Sequence, residues 1–253
     1  MFYYNDILQI PERCLLKKRL TKAFFLKNFD LSISEKKLLN NVIQGMEWLA
    51  SIKTSNSNIS QSKNDNYVYE EIQVMTCTVP LNQLENASKA CIELFQKYIP
   101  YQMVVIVEDE NDFIINTCDK RINQNDKTKR TIEAYFTTKA ISKLYKNELS
   151  SSLFEGLSFA NLNRTNLETL YKSYTQSLVQ YQAASITGAF NKRTQKRTEE
   201  DMANLLAIET IEKEIVSLAN QLKKESQLSN KVNLNVEIQN KRQEIEDIKI
   251  KLK

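Results

Sequence analysis

Two apolar runs separated by an acidic segment constrain the fold of this chain most strongly. Met103–Val107 and Phe113–Ile115 are rich in β-branched residues, and the polar letters EDEND lie between them. Short apolar runs that are bounded by turn residues are typical of buried strands. The stretch Tyr101–Cys118 therefore predicts a buried β-hairpin on which flanking helices pack.

The segments around this hairpin alternate between helical and strand periodicity. The predicted helices are Glu12–Phe29, Glu35–Gly45, Gln83–Tyr98, a helix that starts near Thr138, and Asn163–Gln182. The predicted strands are Glu47–Lys53, Tyr67–Val79 and Thr131–Thr137, and the polar stretch Thr54–Asn66 is predicted to be a hairpin connection or a mobile loop. The predicted fold class is α/β (α+β), with a mixed or antiparallel central sheet flanked by helices.

The last quarter of the chain has a different pattern. Its isoleucines and leucines recur every three or four residues in two blocks, and Ser226–Asn230 interrupts the spacing. This pattern predicts a C-terminal antiparallel α-helical hairpin or a dimeric coiled coil. We divide the chain into a globular domain at 1–190, a basic connector at 191–197 and a helical arm at 198–253. The residues expected to bind a partner protein or a second copy are Ile208, Ile211, Ile215, Leu218, Leu222, Ile238, Ile245 and Ile248.

Missing residue types exclude several classes of enzyme. The chain has no histidine, which removes the commonest general base and metal ligand. Its three glycines form neither a P-loop nor a dinucleotide-binding motif. The four cysteines are widely spaced and include no CxxC pair, so neither a disulfide nor a metal site is predicted. The sequence predicts no cofactor and no catalytic residue.

We expect a cytoplasmic protein. No apolar run approaches the roughly 20 residues that cross a bilayer. The first residues, MFYYNDILQIPERC, lack the basic segment followed by an apolar segment that a secretory signal has.

Lysine and arginine residues cluster in two basic patches. The first, on the opening predicted helix, contains Arg13, Lys17, Lys18, Arg19 and Lys22. The second, within Asp119–Lys146, contains Lys120, Arg121, Lys129 and Arg130, with Tyr135, Phe136 and Tyr145 interleaved. Such clusters predict contacts with DNA phosphates, and interleaved rings can stack on bases. In the alternative interpretation, the amines only keep a helix face and an edge strand soluble.

The acidic segment raises a different hypothesis. Glu108, Asp109, Glu110 and Asp112 are the only dense carboxylate group near the predicted core, and a metal-dependent nuclease would use Glu108, Asp109 or Asp112. However, the next strand continues as FIINT and lacks the acid-x-lysine that this chemistry would add. The acids are therefore more typical of a solvated turn, and a divergent nuclease is an alternative.

Four stretches carry a family resemblance: FFLKNFDLS, YVYEEIQVMTCTV, ELFQKYIPYQMVVIVEDENDFIINT and the closing EKEIVSLANQLKKESQLSNKVNLNVEIQNKRQEIEDIKIKL. Together they resemble a bacterial family known as domain of unknown function 4391. The resemblance implies an accessory protein encoded beside SNF2-type helicases and DNA methyltransferases in phage-defence or restriction-like loci. It implies no catalytic residues.

The sequence and the resemblance together favour a non-catalytic accessory subunit of such a system. It would bind DNA, a helicase or methyltransferase partner, or both. The alternatives are a pure protein-interaction scaffold without DNA binding and the divergent metal-dependent nuclease. A single phosphate-binding surface requires the two basic patches to share one face of the folded protein.

Overall fold

The computed structural model describes residues 4–188, 190 and 193–253. The chain divides into two compact units, Met1–Leu178 and Val179–Lys253. The strands are β1 (Leu15–Arg19), β2 (Gly45–Lys53), β3 (Ser62–Lys63), β4 (Val68–Tyr69), β5 (Glu71–Thr78), β6 (Gln102–Glu108), β7 (Asp112–Ile122), β8 (Arg130–Thr137) and β9 (Ile141–Ser142). The α-helices are α1 (Tyr4–Leu8), α2 (Lys22–Asn28), α3 (Ile33–Lys37), α4 (Thr54–Ser57), α5 (Leu84–Tyr98), α6 (Glu148–Leu157), α7 (Leu167–Thr187), α8 (Gln195–Lys224) and α9 (Leu228–Lys251).

The first unit is built on a mixed sheet. Its strand order is β1-β2-β5-β6-β7-β8, and β9 also pairs with β7. Strands β5 and β6 are parallel, whereas the other neighbouring pairs are antiparallel. Two parallel strands that follow each other in the chain need a crossover connection, and helix α5 supplies it between β5 and β6. The prediction of an α/β fold with a mixed central sheet flanked by helices is confirmed.

Strand β6 lies inside this sheet and is covered on both faces. On one face, Met103 and Val105 pack in a core cluster with Phe95 of α5. On the other face, Val104 and Ile106 are fully buried, and α7 covers the neighbouring strand, where Thr175 donates a hydrogen bond to the Thr117 hydroxyl of β7 at 3.0 Å. A strand that is covered on both faces needs apolar side chains at successive positions. This requirement explains the unbroken apolar run that marks β6 in the sequence.

Helix α5 matches its prediction within one residue. Leu84, Cys91 and Phe95 fall at helical spacing and are buried against the sheet. The helix ends where Pro100 follows Ile99, which has extended φ and ψ values of −93° and 116°. A residue that precedes proline disfavours the helical conformation, so the chain leaves the helix and enters β6.

Strands β6 and β7 pair from Val105 with Asn116 up to the turn and separate at the other end. There the buried hydroxyl of Tyr171, on α7, accepts a hydrogen bond from the Cys118 amide at 3.0 Å. It also lies within hydrogen-bond distance of the Met103 and Cys118 carbonyl oxygens, at 3.1 and 2.8 Å. The hydroxyl therefore supplies the partners that the interrupted ladder does not provide.

Two more buried polar side chains form hydrogen bonds with buried polar groups at the end where β6 and β7 separate. Gln96 of α5 donates a hydrogen bond to Asn116 Oδ1 at 2.8 Å. The ammonium of Lys120, on β7, donates to the carbonyl oxygens of Ile99 and Tyr101 at 2.7 and 2.8 Å. The entry into β6 is thus fixed by side chains from both of its neighbours, α5 and β7.

The prediction of a helix over Glu12–Phe29 is wrong. The segment forms a 3-10 turn at Glu12–Cys14, then strand β1, and only then helix α2. Strand β1 pairs with β2, and the Thr21 side chain begins a new helix by accepting a hydrogen bond from the Phe24 amide at 3.2 Å. Pairing with a distant strand therefore overrides the local helical spacing.

The helix predicted to start near Thr138 is also wrong. The chain forms the short strand β9 there, paired with β7, and the next helix is α6. Helix α6 begins after Asn147, whose side-chain oxygen accepts a hydrogen bond from the Ser150 amide at 2.8 Å. The cap, rather than the preceding lysine-rich pattern, sets the start of this helix.

Two other segments differ from their predictions in detail. In place of one helix at Glu35–Gly45, α3 is followed by a π-helical turn at Leu38–Val42. Helix α3 is capped by Ser32, which forms a capping box with Glu35. The predicted loop Thr54–Asn66 contains helix α4 and strand β3.

The four cysteines, Cys14, Cys77, Cys91 and Cys118, are free and buried. Burial raises the pKa of the Cys118 thiol to about 12. These side chains act as small hydrophobic residues in the core.

The second unit contains an antiparallel helical hairpin. Helices α8 and α9 are connected through Glu225–Gln227, and an interhelical ion pair joins Lys241 to Glu214 at 2.8 Å. Its apolar core contains Ala183, Ile208, Ile211, Ile245, Ile248 and Leu252. The predicted C-terminal hairpin is confirmed.

Across the described ranges, no helix combines the length and apolar character that a membrane span requires.

Replacing Tyr171 with phenylalanine should destabilise the first unit. The substitution leaves the Cys118 amide and nearby carbonyl oxygens without their buried partner, which costs about 1–3 kcal/mol. Equilibrium denaturation in urea, followed by circular dichroism, measures this loss.

Tyr174 provides the matched control on the same helix. It is equally buried, but its hydroxyl has no hydrogen-bond partner among the described residues. Tyr174→Phe should therefore leave the unfolding free energy unchanged or slightly higher. Equal losses in both variants would contradict the role assigned to the Tyr171 hydroxyl.

Candidate nucleic-acid interface

The first basic patch lies on an edge of the sheet rather than on a helix. Lys17, Lys18 and Arg19 are consecutive exposed residues of β1, the end strand of the sheet. Lys17 has a left-handed backbone, with φ of 48°, where the register between β1 and β2 shifts. The irregular strand presents its cations along an unpaired edge.

Several cations of this patch already have partners. Arg13 donates to the Ser57 carbonyl oxygen at 2.9 Å, and Lys22 donates to the Asn40 carbonyl oxygen at 2.9 Å. Lys17 forms an exposed ion pair with Glu12 at 3.2 Å. Lys18 and Arg19 form no ion pair within the part of the chain that the structure describes.

Lys120 must be removed from the predicted phosphate contacts. Strand β7 continues to Ile122, and it carries the Lys120 side chain into the core. Lys120 is 0% exposed, and its ammonium is held by the carbonyl oxygens of Ile99 and Tyr101. Burial lowers the pKa of this amine to about 8.

The other predicted cations of the second patch lie near β7 and β8. Arg121 pairs with Glu133 at 2.9 Å, and Lys129 pairs with Asp126 at 3.3 Å. Arg130 donates to the backbone carbonyl oxygens of Lys127 and Lys129, both at 3.1 Å. These local partners reduce the charge that this patch can offer to a ligand.

The aromatic residues of the second patch are in different environments. Phe136 is buried, and Tyr135 packs partly buried against the main core. Tyr145 is 73% exposed in the segment between β9 and α6. Of the three predicted stacking rings, only Tyr145 is mostly available to solvent.

The two basic patches do not share one edge of the sheet. Strand β1 is at one end of the strand order and β8 is at the other. With a spacing of about 4.8 Å between neighbouring strands, these edges are separated by roughly 24 Å. A single phosphate-binding surface that contains both patches would therefore have to extend across the whole width of the sheet.

The acidic residues after β6 build the hairpin turn. Glu108 accepts hydrogen bonds from Tyr4 and Lys143, the latter at 2.5 Å. Asp109 is buried and accepts the amides of Asn111 and Asp112 at 2.9 Å each. Burial, followed by the nearby Glu108 carboxylate, raises the pKa of the Tyr4 hydroxyl.

The carboxylates of this arrangement are engaged in contacts within the fold. Within the described ranges, no group of three or more histidine, cysteine, aspartate or glutamate side chains is placed to hold a metal ion. The carboxylates of Glu108 and Asp109 instead stabilise the turn and the contacts around it.

The predicted partner-binding stripe mostly faces its own chain. Ile208, Ile211, Ile245 and Ile248 pack together in the hairpin core. Ile238 is buried, and Ile215, Leu218 and Leu222 are half-buried. In the closed hairpin, these buried residues are occupied by α8–α9 packing and do not form an exposed stripe for another protein.

The predicted basic connector closes the hairpin. Arg193 and Arg197 approach the buried Asp201 carboxylate at 3.4 and 3.2 Å. They also donate to carbonyl oxygens at the end of α9, those of Leu252 and Lys251 respectively. Cations are favourable at this negative end of the helix dipole. Asn191 and Lys192, also in the predicted connector, lie outside the described residues.

Asp201 was not recognised as a key residue from the sequence. It lies among other charged residues near the start of α8, a pattern that usually indicates a solvated helix face. Burial raises the pKa of this carboxyl, although Arg197 and Arg193 act in the opposite direction. The spacing of Arg197 and Asp201, four residues apart, was the local signal for their ion pair.

Comparison with known protein families matches the chain to the family described as domain of unknown function DUF4391. The match covers residues 8–245. No curated protein and no solved structure matches the chain.

The buried amine of Lys120 should make stability depend on pH. Its pKa is about 8 in the folded chain, below the ordinary 10.5, so the unfolded chain binds more protons between these values. Relative to Lys120→Met, the wild type should therefore gain about 1–2 kcal/mol of stability from pH 7 to 9.5. Urea denaturation at each pH measures the difference.

Lys127→Met is the exposed control for the same measurement. It should not reproduce the pH-dependent difference, because it removes an amine from solvent rather than from the core. A constant stability difference between the wild type and Lys120→Met across this pH range would contradict the interpretation of Lys120 as a desolvated amine.

Proposed function

We propose a role for this chain from its own surfaces, because the chain belongs to DUF4391, a family whose function is unknown. The chain is a non-catalytic accessory protein that binds DNA through the β1 edge. It works in the cytoplasm with a DNA-acting partner, a helicase or a methyltransferase, in a phage-defence or restriction-like system.

The exposed basic edge strand carries this proposal. Lys17, Lys18 and Arg19 project from consecutive positions of β1, and Arg13 and Lys22 lie close to them in the sequence. Lysine and arginine side chains bind phosphates without reading the base sequence, and they release counterions when they do so. The bond from Arg13 to Ser57 and that from Lys22 to Asn40 tie these two cations to neighbouring segments.

Fewer residues are proposed to contact DNA than the sequence alone predicted. Lys120 is excluded by its burial, and Arg121, Lys129 and Arg130 lie on or beside β7 and β8, at the other end of the strand order. The β1 edge thus forms a short, sequence-independent DNA contact. Such a contact suits an accessory subunit that adds affinity to a partner with its own DNA specificity.

A protein-interaction scaffold is the second candidate. Lysines on an edge strand also prevent pairing with the edges of other sheets, which is a purely protective role. The exposed apolar residues Leu228, Val232 and Val236 on α9 favour contacts with proteins. Binding measurements distinguish this candidate from the DNA-binding protein.

Reversing the charge of the β1 edge should weaken DNA binding. In the triple variant Lys17→Glu, Lys18→Glu and Arg19→Glu, affinity for a duplex oligonucleotide should fall at least tenfold at low salt. The slope of log affinity against log salt should become shallower by about 3, because three phosphate contacts are lost. Fluorescence anisotropy over a salt series measures both changes.

The opposite edge offers a control with the same change of net charge. The triple variant Lys127→Glu, Lys129→Glu and Arg130→Glu should retain most of the affinity. An equal loss in both triple variants would show that net charge, rather than the β1 edge, controls binding. If the wild type does not bind DNA even at low salt, the scaffold candidate replaces the DNA-binding proposal.

A further inference from the structure

The hairpin turn contains nothing that forces the chain to reverse. Residues 225–227 include neither glycine nor proline, and neither residue type occurs after Gly188. Glu225 and Gln227 have φ values of −71° and −80°, which an α-helix also accepts. Rotation about ψ alone, from 137° and 128° to helical values, would bring these two residues into a continuous helix.

The Glu225 carboxylate accepts most of the side-chain hydrogen bonds at the turn, and Asn230 also donates to Gln227 Oε1 at 3.0 Å. Glu225 Oε1 accepts the amides of Ser226 and Gln227, both at 2.8 Å, and Oε2 accepts Asn230 Nδ2 at 3.2 Å. These bonds are exposed to solvent, where water competes for each partner. The turn is therefore held by local bonds that water can replace, and Ser226 and Gln227 are exposed while Glu225 is half-buried.

The contacts that close the hairpin join α8 to α9. Ile208 and Ile211 on α8 pack with Ile245 and Ile248 on α9. The ion pair between Glu214 and Lys241 also crosses from one helix to the other. All these contacts can form equally well between α8 of one chain and α9 of another, because they do not depend on the turn.

We propose that the hairpin exchanges α9 between two copies of this chain, so that α8 of each copy packs on α9 of the other. In the exchanged dimer, residues Gln195–Lys251 form one continuous helix, about 85 Å long. The two helices are antiparallel and related by a two-fold axis, and each interface has the contacts of the closed hairpin. The partner of the predicted apolar stripe is thus a second copy of the same stripe. This inference does not depend on DNA binding.

The turn can be locked or loosened by single substitutions in the full chain. Leu228 is the first residue of α9 and is 78% exposed. Proline is accepted at a first helical position but breaks the interior of a helix. Leu228→Pro should therefore keep the hairpin and abolish the dimer. Glu225→Ala removes the acceptor that holds the turn, and it should increase the dimer fraction severalfold.

Light scattering after gel filtration, over a series of concentrations, measures the dimer fraction of each variant, with circular dichroism to confirm equal helix content. A wild type that is monomeric at every concentration, together with a monomeric Glu225→Ala variant, would overturn the proposal. A Leu228→Pro variant that dimerises as well as the wild type would also overturn it, because the continuous helix could not form.

An exchange of charge identifies which helices meet in the dimer. Glu214→Lys and Lys241→Glu each place like charges across the hairpin. In a mixture of the two variants, the exchanged heterodimer restores opposite charges at both interfaces, whereas neither homodimer does. Native mass spectrometry after joint refolding should show the heterodimer enriched at least threefold over the statistical ratio. A statistical ratio would show that any dimer uses other surfaces, and it would overturn helix exchange.

Discussion

The first unit depends on how buried backbone groups find partners where β6 and β7 separate. An unpaired amide or carbonyl group in the core costs free energy, because no water replaces the lost strand partner. Tyr171 reaches this place from α7, and Gln96 reaches it from α5. Each helix is consequently fixed to the sheet by a directional bond as well as by apolar packing. The Lys120 ammonium adds a third constraint at the entry into β6.

The parts of the fold that could be predicted are those whose structure is determined by residues within or next to the segment itself. The β6–β7 hairpin and α5 follow from apolar spacing and from turn or proline residues beside them. Strand β1 could not be predicted in the same way. Its residues have helical spacing, and only pairing with β2 determines that they are extended. Thr21 then begins α2 by capping it, a signal that is visible in the sequence but was obscured by the longer helical pattern.

At the candidate interface, too, some features follow from local sequence and others depend on strand pairing. Charge clustering correctly predicted that Lys17, Lys18 and Arg19 would be exposed, but it could not show that they form an edge strand. Charge clustering gave the wrong environment for Lys120. Strand β7 extends beyond Cys118 to Ile122, so Lys120 is a strand residue whose side chain enters the core. In the helical arm, spacing identified the apolar stripe. Spacing does not say which chain supplies the partner, since the same surfaces satisfy both arrangements.

The four buried cysteines allow local opening of the folded protein to be measured by chemical labelling. A buried thiol is out of reach of an alkylating reagent in solution, so each site must open before it is labelled. Cys77 and Cys91 report on the packing of α5 against β5, and Cys118 reports on the separated end of β7. Their labelling rates therefore give the free energies of local opening at separate places in one sheet. A chain with evenly distributed exposed thiols would not distinguish these events.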